Sequence, residues 1–202
     1  LELPTVQTPI AAAAARPHLP RGHIDLATDI PQDVVDDFLQ IYRDAFAPLE
    51  VRSPARQALS DDEFRHEMVD PSVLKFVAID ADGEIVGLSL VATDLATVPW
   101  ISVPFYEARY PEHVAEGRLF YFGALLVRPE RQGGPWATFL LDHLFGFLAD
   151  RRAIGAFDCC GFNVDVVGLP DLIERSGHRV TRFQLEHLDR QDYFAAVVEG
   201  HR

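Results

Sequence analysis

Cysteine is nearly missing from this chain of 202 residues: there are two, Cys159 and Cys160, and they are neighbours. Adjacent thiols cannot staple distant segments, so a disulfide-built secreted scaffold is excluded, and on a strand the two would point to opposite faces. No second Cys pair or His pair at ligand spacing accompanies them. No metal site is therefore expected, and the plain reading is two small buried apolar side chains in a reducing cytoplasm. Basic residues are also scarce, with 18 Lys and Arg against 31 Asp and Glu for a formal charge of −13. That balance repels nucleic acid and anionic lipid and attracts cationic solutes, so neither DNA nor a membrane is an expected partner. No apolar run approaches the roughly 18–20 residues of a membrane span. The opening residues lack the basic start and long apolar centre of a secretory signal, and repeats are absent apart from the alanine run at 11–15. With 48% hydrophobic and 24% charged residues, what remains fits one globular domain with a sizeable core.

Residues 1–22, rich in Pro and Ala without amphipathic period, are expected to form a flexible arm, leaving 23–202 as the domain. "HIDLAT" (23–28) reads as a first strand. In "DIPQDVVDDFLQIYRDAF" (29–46), Pro31 lies near a helix start, and Val34, Val35, Phe38, Ile41, Tyr42 and Phe46 recur at helical spacing. Ser60, three residues before Glu63, has the capping-box pattern of a second helix, which Asp70-Pro71 closes. "SVLKFVAIDADGEIVGLSLVATD" (72–94) reads as a hairpin about an Asp-Gly turn. Residues 95–117 break the pattern with Pro99, Pro104 and Pro111 among Trp100, Phe105, Tyr106 and Tyr110. An irregular insertion of that length is more often functional than ornamental. A strand over 118–127 follows, then a glycine-rich loop and a largely buried helix over 135–150. A buried strand is expected over 153–164, a short helix ended by Gly177, and a closing strand pair over 179–198. The order describes a mixed α/β domain with one principal sheet.

The stretch "LLVRPERQGGPWATFLL" (125–141) collects two glycines, two prolines, two arginines and a glutamine between apolar elements. It reads either as an ordinary strand-to-helix turn or as a phosphate cradle. With the element order, "VRPERQGGPWATFLL" resembles the GNAT acyltransferase superfamily. In that family a Gln/Arg-x-x-Gly-x-Gly/Ala loop between strand and helix holds the pyrophosphate of acyl-coenzyme A through backbone N–H groups. The resemblance implies a single-domain GNAT-like fold with a mixed, mostly antiparallel sheet flanked by helices. It also implies acetyl-CoA or another acyl-CoA as co-substrate. Gln132 matches the motif's first position and Ala137 its last, while its central glycine falls on Pro135, which has no N–H. Carried over residue by residue, the cofactor contacts are Leu125, Leu126 and Val127 on the strand, then Gln132, Gly133, Gly134, Trp136, Ala137 and Thr138. Asn163 matches an asparagine that contacts the pantetheine arm, and its alternative reading is a turn-forming Asn at a strand end.

Two of the family's usual catalytic groups do not transfer: its strand carboxylate falls near Gly123, and its tyrosine acid near Ile173. Tyr121, on the same strand face as Gly123, is the candidate for orienting water or substrate, against a plain packing role. Trp100, Tyr106 and Glu107 are candidates for the acceptor pocket, the aromatic rings forming its wall. A hydrophobic pad or a homodimer contact would use the same rings. Glu112 and His113 could likewise accept a proton, and Asp142 and His143, being adjacent, face different directions. The implied activity is acyl-CoA-dependent N-acylation, with acetyl transfer to a small-molecule amine by direct attack on the thioester. The alternative is a catalytically weak GNAT-like CoA-binding module or interaction domain.

Overall fold

The computed structural model of the chain describes residues 20–198. Most of the arm expected over 1–22 lies outside that range, and Gly22 already belongs to the first strand. Five strands form one sheet in sequence order: β1 (Gly22–Ala27), β2 (Val73–Asp80), β3 (Ile85–Ala92), β4 (Leu119–Val127) and β5 (Ile154–Phe157). Pairing is antiparallel from β1 to β4 and parallel between β4 and β5. This is the mixed, mostly antiparallel sheet expected, and the lone parallel pair needs the crossover helix that the sequence supplies after the glycine loop.

Helices α1 (Val35–Glu50) and α2 (Asp61–Val69) cover one face. The spacing of Phe38, Ile41 and Tyr42 turns them inward with Phe64 and Met68 onto Val77, Ile79, Leu88, Leu90, Ala124 and Leu126. Ser60 and Glu63 form the expected capping box, Ser60 N donating to Glu63 Oε2 at 2.7 Å and Glu63 N to Ser60 Oγ at 3.4 Å. Beneath these helices lies Lys75, the only lysine, fully buried on β2. Its ammonium donates to Thr28 O at 2.8 Å and Asp70 O at 2.7 Å, so one side chain joins the end of β1 and the end of α2 to the sheet. The opposite face carries α5 (Trp136–Arg151) and α7 (Leu169–Val180), packed on Phe76, Ala78, Val86, Phe120 and Val127.

Four expectations are corrected. Residues 95–117 are not an irregular loop: after a 3-10 turn at Leu95–Thr97 they form α3 (Val103–Arg109) and α4 (Pro111–Ala115). Pro104 and Pro111 stand in first turns, where a missing N–H breaks no helical bond, so these prolines start helices. The strand expected over 153–164 stops at Phe157, and Gly161–Asp165 is a short helix, α6. Gly177 does not end its helix. It is buried inside α7, where a Cβ would come within 2.3 Å of the Phe183 ring, so its role is close packing.

No strand follows α7 among the described residues. The apolar residues just beyond it are divided between separate clusters instead of lining one strand face, and Phe194, Val197 and Val198 are exposed. Phe183 and Leu185 pack with α5 and α7, while Leu188 joins the cluster under α3 and α4. Glu186 fixes this crossing, ion-paired to Arg109 and accepting from Tyr110 Oη at 2.8 Å.

Candidate active site

The site is built where β4 and β5 separate. Their ladder runs from Leu119↔Ile154 to Phe122↔Phe157, and β4 continues to Val127 with β3 alone beside it. On that side Leu90 pairs with Ala124 and Val91 with Phe122, so Gly123 is the extra residue of a β-bulge. A bulge bends and further twists its strand, which turns β4 away from β5. Gly123 is exposed within an otherwise buried strand, and a Cβ there would meet only Leu90 O, at 4.0 Å. The position that lacks the expected carboxylate is thus an open floor. Leu126 and Val127 are buried and Leu125 half-buried against the α5 cluster, so along this edge they can offer a ligand little beyond backbone groups.

The glycine loop follows at the wide end of the opening. Pro129–Arg131 form a 3-10 turn, and Gln132 folds back so that its amide donates to Val127 O at 3.1 Å. Gly133 takes φ 74°, a left-handed conformation that glycine accepts without strain. Pro135 is the N-cap residue of α5, at φ −80°. The N–H groups of Gly133, Gly134, Trp136, Ala137 and Thr138 have no acceptor among the described residues, and residues 129–135 are exposed. Trp136 contributes only its N–H, because its ring is buried beside Phe139. The loop's arginines brace it: Arg131 reaches the buried Asp80 at 3.0 Å, and Arg128 donates to Ile85 O.

At the narrow end, α3 and the turn before it lie over Tyr121, Ala92 and Ala156. Tyr121 is almost wholly buried and donates its hydroxyl to Asp158 Oδ1. Trp100 donates its indole N–H to the same oxygen at 3.3 Å. The rings of Trp100 and Tyr106 lie edge-on to Tyr121, with centroids 6.3 and 6.5 Å away. Burial, and then the carboxylate of Asp158, push the Tyr121 phenol far above the ordinary tyrosine range. Tyr121 therefore keeps its proton and acts as a donor. Tyr106 is shifted upward by burial and by Asp158 as well, and the same two causes raise the Cys159 thiol, disfavouring its thiolate.

Sequence reasoning missed Asp158. The available signal was a lone carboxylate ending the apolar run "AIGAF", but only the short course of β5 shows that this residue stands at the strand tip. Trp100, Tyr106 and Tyr121 are brought together. Glu107, exposed on α3, is not bonded into that group among the described residues. Asn163 is half-buried on α6, beside Phe162, over which the Arg52 guanidinium lies at 4.9 Å. Ile173 is in the core on α7, so no acid stands there. Asp142 pairs with Arg179 at 2.7 Å and His143 Nδ1 lies 2.8 Å from Phe139 O, which makes both structural. Among the described residues there is no cluster of metal-ligating side chains, and no helix is long and apolar enough to cross a membrane.

No family model matches the sequence, and no curated protein does. Solved structures do. An aminoglycoside acetyltransferase from an uncultured soil metagenomic sample is 16% identical, with 84% of this chain and 95% of that one covered at a TM-score of 0.47. A GCN5-related N-acetyltransferase from Sphaerobacter thermophilus is 22% identical, covering 80% of this chain and 42% of that one, also at 0.47. For a putative acetyltransferase from Agrobacterium tumefaciens the figures are 12%, 83%, 99% and 0.48. The fold itself has four antiparallel strands, a fifth added in parallel, and a helix crossing between β4 and β5.

Proposed function

We propose that the chain is an acyl-CoA-dependent N-acyltransferase that moves an acetyl group to a small amine by direct attack on the thioester. The observation that carries this reading is the parting of β4 from β5 past Phe122 and Phe157, with the unpartnered N–H groups of the α5 loop at its wide end. An elongated thiol carrier fits such a slot, with its pyrophosphate at Gly133, Gly134, Trp136, Ala137 and Thr138 and its amides along the free edge of β4. Leu125, Leu126 and Val127 supply that edge, Gln132 holds the loop to it, and Asn163 on α6 faces the pantetheine arm in this reading.

The co-substrate supplies an activated acyl carbon; the protein holds the amine against it. The amine attacks as the neutral species, a C–N bond forms as the C–S bond breaks, and the proton lost from nitrogen is carried to the departing thiolate. Tyr121 is a positioning group here: its proton is committed to Asp158, and its raised pKa makes it a weak acid toward a thiolate. Trp100, Tyr106 and Glu107 border the acceptor side. The free thiols of Cys159 and Cys160 suit a reducing compartment, and the reading includes a cytoplasmic location.

A second reading, a CoA-binding module with weak catalysis, is favoured by one observation: neither Gly123 nor the buried Ile173 offers an acid or base. Thermal unfolding with acetyl-CoA and with CoA, followed by thiol release against an amine panel, separates the two. At ~100 times its dissociation constant a ligand adds about 2.7 kcal/mol to stability. Stabilisation with amine-dependent thiol release is the expected result. Stabilisation alone favours the module, and no stabilisation by either ligand refutes both.

A further inference from the structure

Asp158 holds an unusual pair of contacts. Both of its hydrogen bonds fall on Oδ1, one from the Tyr121 hydroxyl and one from Trp100 Nε1 at 3.3 Å. Oδ2 has no partner among the described residues, and no Lys, Arg or His pairs with this carboxylate there. The residue is exposed, and both of its donors are neutral. The carboxylate is therefore oriented without being neutralised, in a chain whose other ion pairs consume many of its arginines. Tyr121 is fully buried and cannot swing away, so the orientation of Asp158 is fixed from beneath.

We infer that Asp158 and Trp100 form a recognition site for a primary alkylammonium group, and that this is where the acceptor amine docks. The inference rests on the acyltransfer reading for its last clause only. Three observations select the ligand. A negative oxygen with an open side calls for a cationic donor, since charge-assisted bonds are the strong ones. Trp100 remains 47% exposed while its own N–H touches Oδ1, so the indole orients the carboxylate and offers apolar surface beside it for the alkyl chain of an amine. Oδ1 already accepts two bonds, which leaves no second oxygen for the two-pronged grip of a guanidinium, whereas an ammonium needs only one. The acceptor class is then an unhindered aliphatic amine, charged in solution. The docked ammonium gives one proton to solvent water before it can attack, and the open floor at Gly123 gives the neutral nitrogen access to the β4 slot.

The test uses the full chain and butylammonium chloride, with butanol at matched ionic strength as the neutral analogue. The chain has two tryptophans, and Trp136 is buried at 6% exposure, so a change in intrinsic fluorescence on titration reports chiefly on Trp100. The expected result is saturable binding of butylammonium and none of butanol. Asp158→Asn keeps an acceptor for both donors but loses the charge, and it should bind butylammonium at least tenfold more weakly, or roughly 1.4 kcal/mol. Asp82→Asn, in the β2–β3 turn, removes one negative charge elsewhere and should bind as wild type. Trp100→Phe, read by calorimetry, should weaken binding a few-fold.

Equal binding by Asp158→Asn and wild type overturns the inference. So does equal binding of butanol, or no saturable response of the wild type either alone or with CoA present. Stabilisation by CoA, measured in parallel, keeps the two readings apart. If CoA stabilises wild type and Asp158→Asn alike while only the first binds butylammonium, both stand. If CoA stabilises neither and the ammonium difference persists, the recognition site stands and acyl transfer fails.

Discussion

Lys75 and Asp158 are two charges held by neutral hydrogen-bond partners in one small fold, and their surroundings are opposite. Lys75 is sealed under α1 and α2, its ammonium bonded to two backbone carbonyls from different connections. Asp158 stands in the open at the tip of β5, bonded through one oxygen only. The first arrangement uses a charge as a bolt: one flexible side chain ties the ends of β1 and α2 to β2, at a desolvation cost that lowers the lysine's pKa to about 8. The second leaves bonding capacity unused, which stabilises the fold little and keeps the group available to a ligand. A buried charge with its partners in the backbone marks structure; an exposed charge with one oriented, idle oxygen marks a site.

The largest effect is expected where the bolt is removed. Lys75→Met keeps the bulk but leaves Thr28 O without a donor and Asp70 O with Val73 N alone, so the loss should be about 1–3 kcal/mol. Urea unfolding measures it, and a loss below ~1 kcal/mol would mean that the ammonium does not join these segments. The pH dependence follows from the depressed pKa. Between about 8 and the ordinary 10.5 the unfolded chain holds a proton that folded Lys75 has lost, so stability contributed by this group rises with pH across that window. Lys75→Met should lack that rise.

At the site end, Gly133→Asp adds charge where a phosphate would sit. It should cost at least tenfold in CoA affinity, or roughly 1.4 kcal/mol, read by calorimetry. Because the loop is exposed and no atom crowds Gly133, folding should survive with about 1 kcal/mol of backbone strain. Unchanged CoA affinity would make the loop a turn. Pro135→Gly restores an N–H at the N-cap and should leave CoA binding equal or tighter.

Glu107→Gln is a smaller perturbation, since the side chain is exposed on α3. About a twofold rise in KM for a cationic acceptor, with CoA affinity unchanged, is expected from the loss of a surface charge. A parallel loss of CoA affinity would place Glu107 on the wrong side of the site.

The smallest and subtlest change is Glu67→Gln. Burial, partly offset by Lys75, raises the Glu67 carboxyl to about 7. The folded state then holds a proton that the unfolded chain loses near 4.5, so this group's contribution is full at acid pH and is lost as pH rises toward 7. Glu67→Gln should flatten that decline and raise the urea midpoint at pH 7 relative to wild type. An undiminished slope between pH 5 and 7 would assign the effect to another group.

The sequence by itself determined the elements whose signals are local. Helical spacing from Val35 to Phe46, the Ser60–Glu63 box and the Asp-Gly hairpin turn act within a few residues, where the unfolded chain already expresses the preference. The glycine loop before α5 was legible for the same reason. Tertiary structure decided the rest. Residues 179–198 were expected to form a closing strand pair, yet Phe183, Leu185 and Leu188 find separate clusters, because burial against distant partners outweighs a weak local β preference. The prolines of 95–117 suggested a loop, but in first turns they start helices that cover Tyr121. Asp158 showed locally only as a carboxylate ending an apolar run, because it meets Tyr121 from 37 positions away and Trp100 from 58. Such a site exists only once β4 and β5 lie side by side and then part, since a hydrogen bond is set by distance in space and carries no trace in sequence spacing.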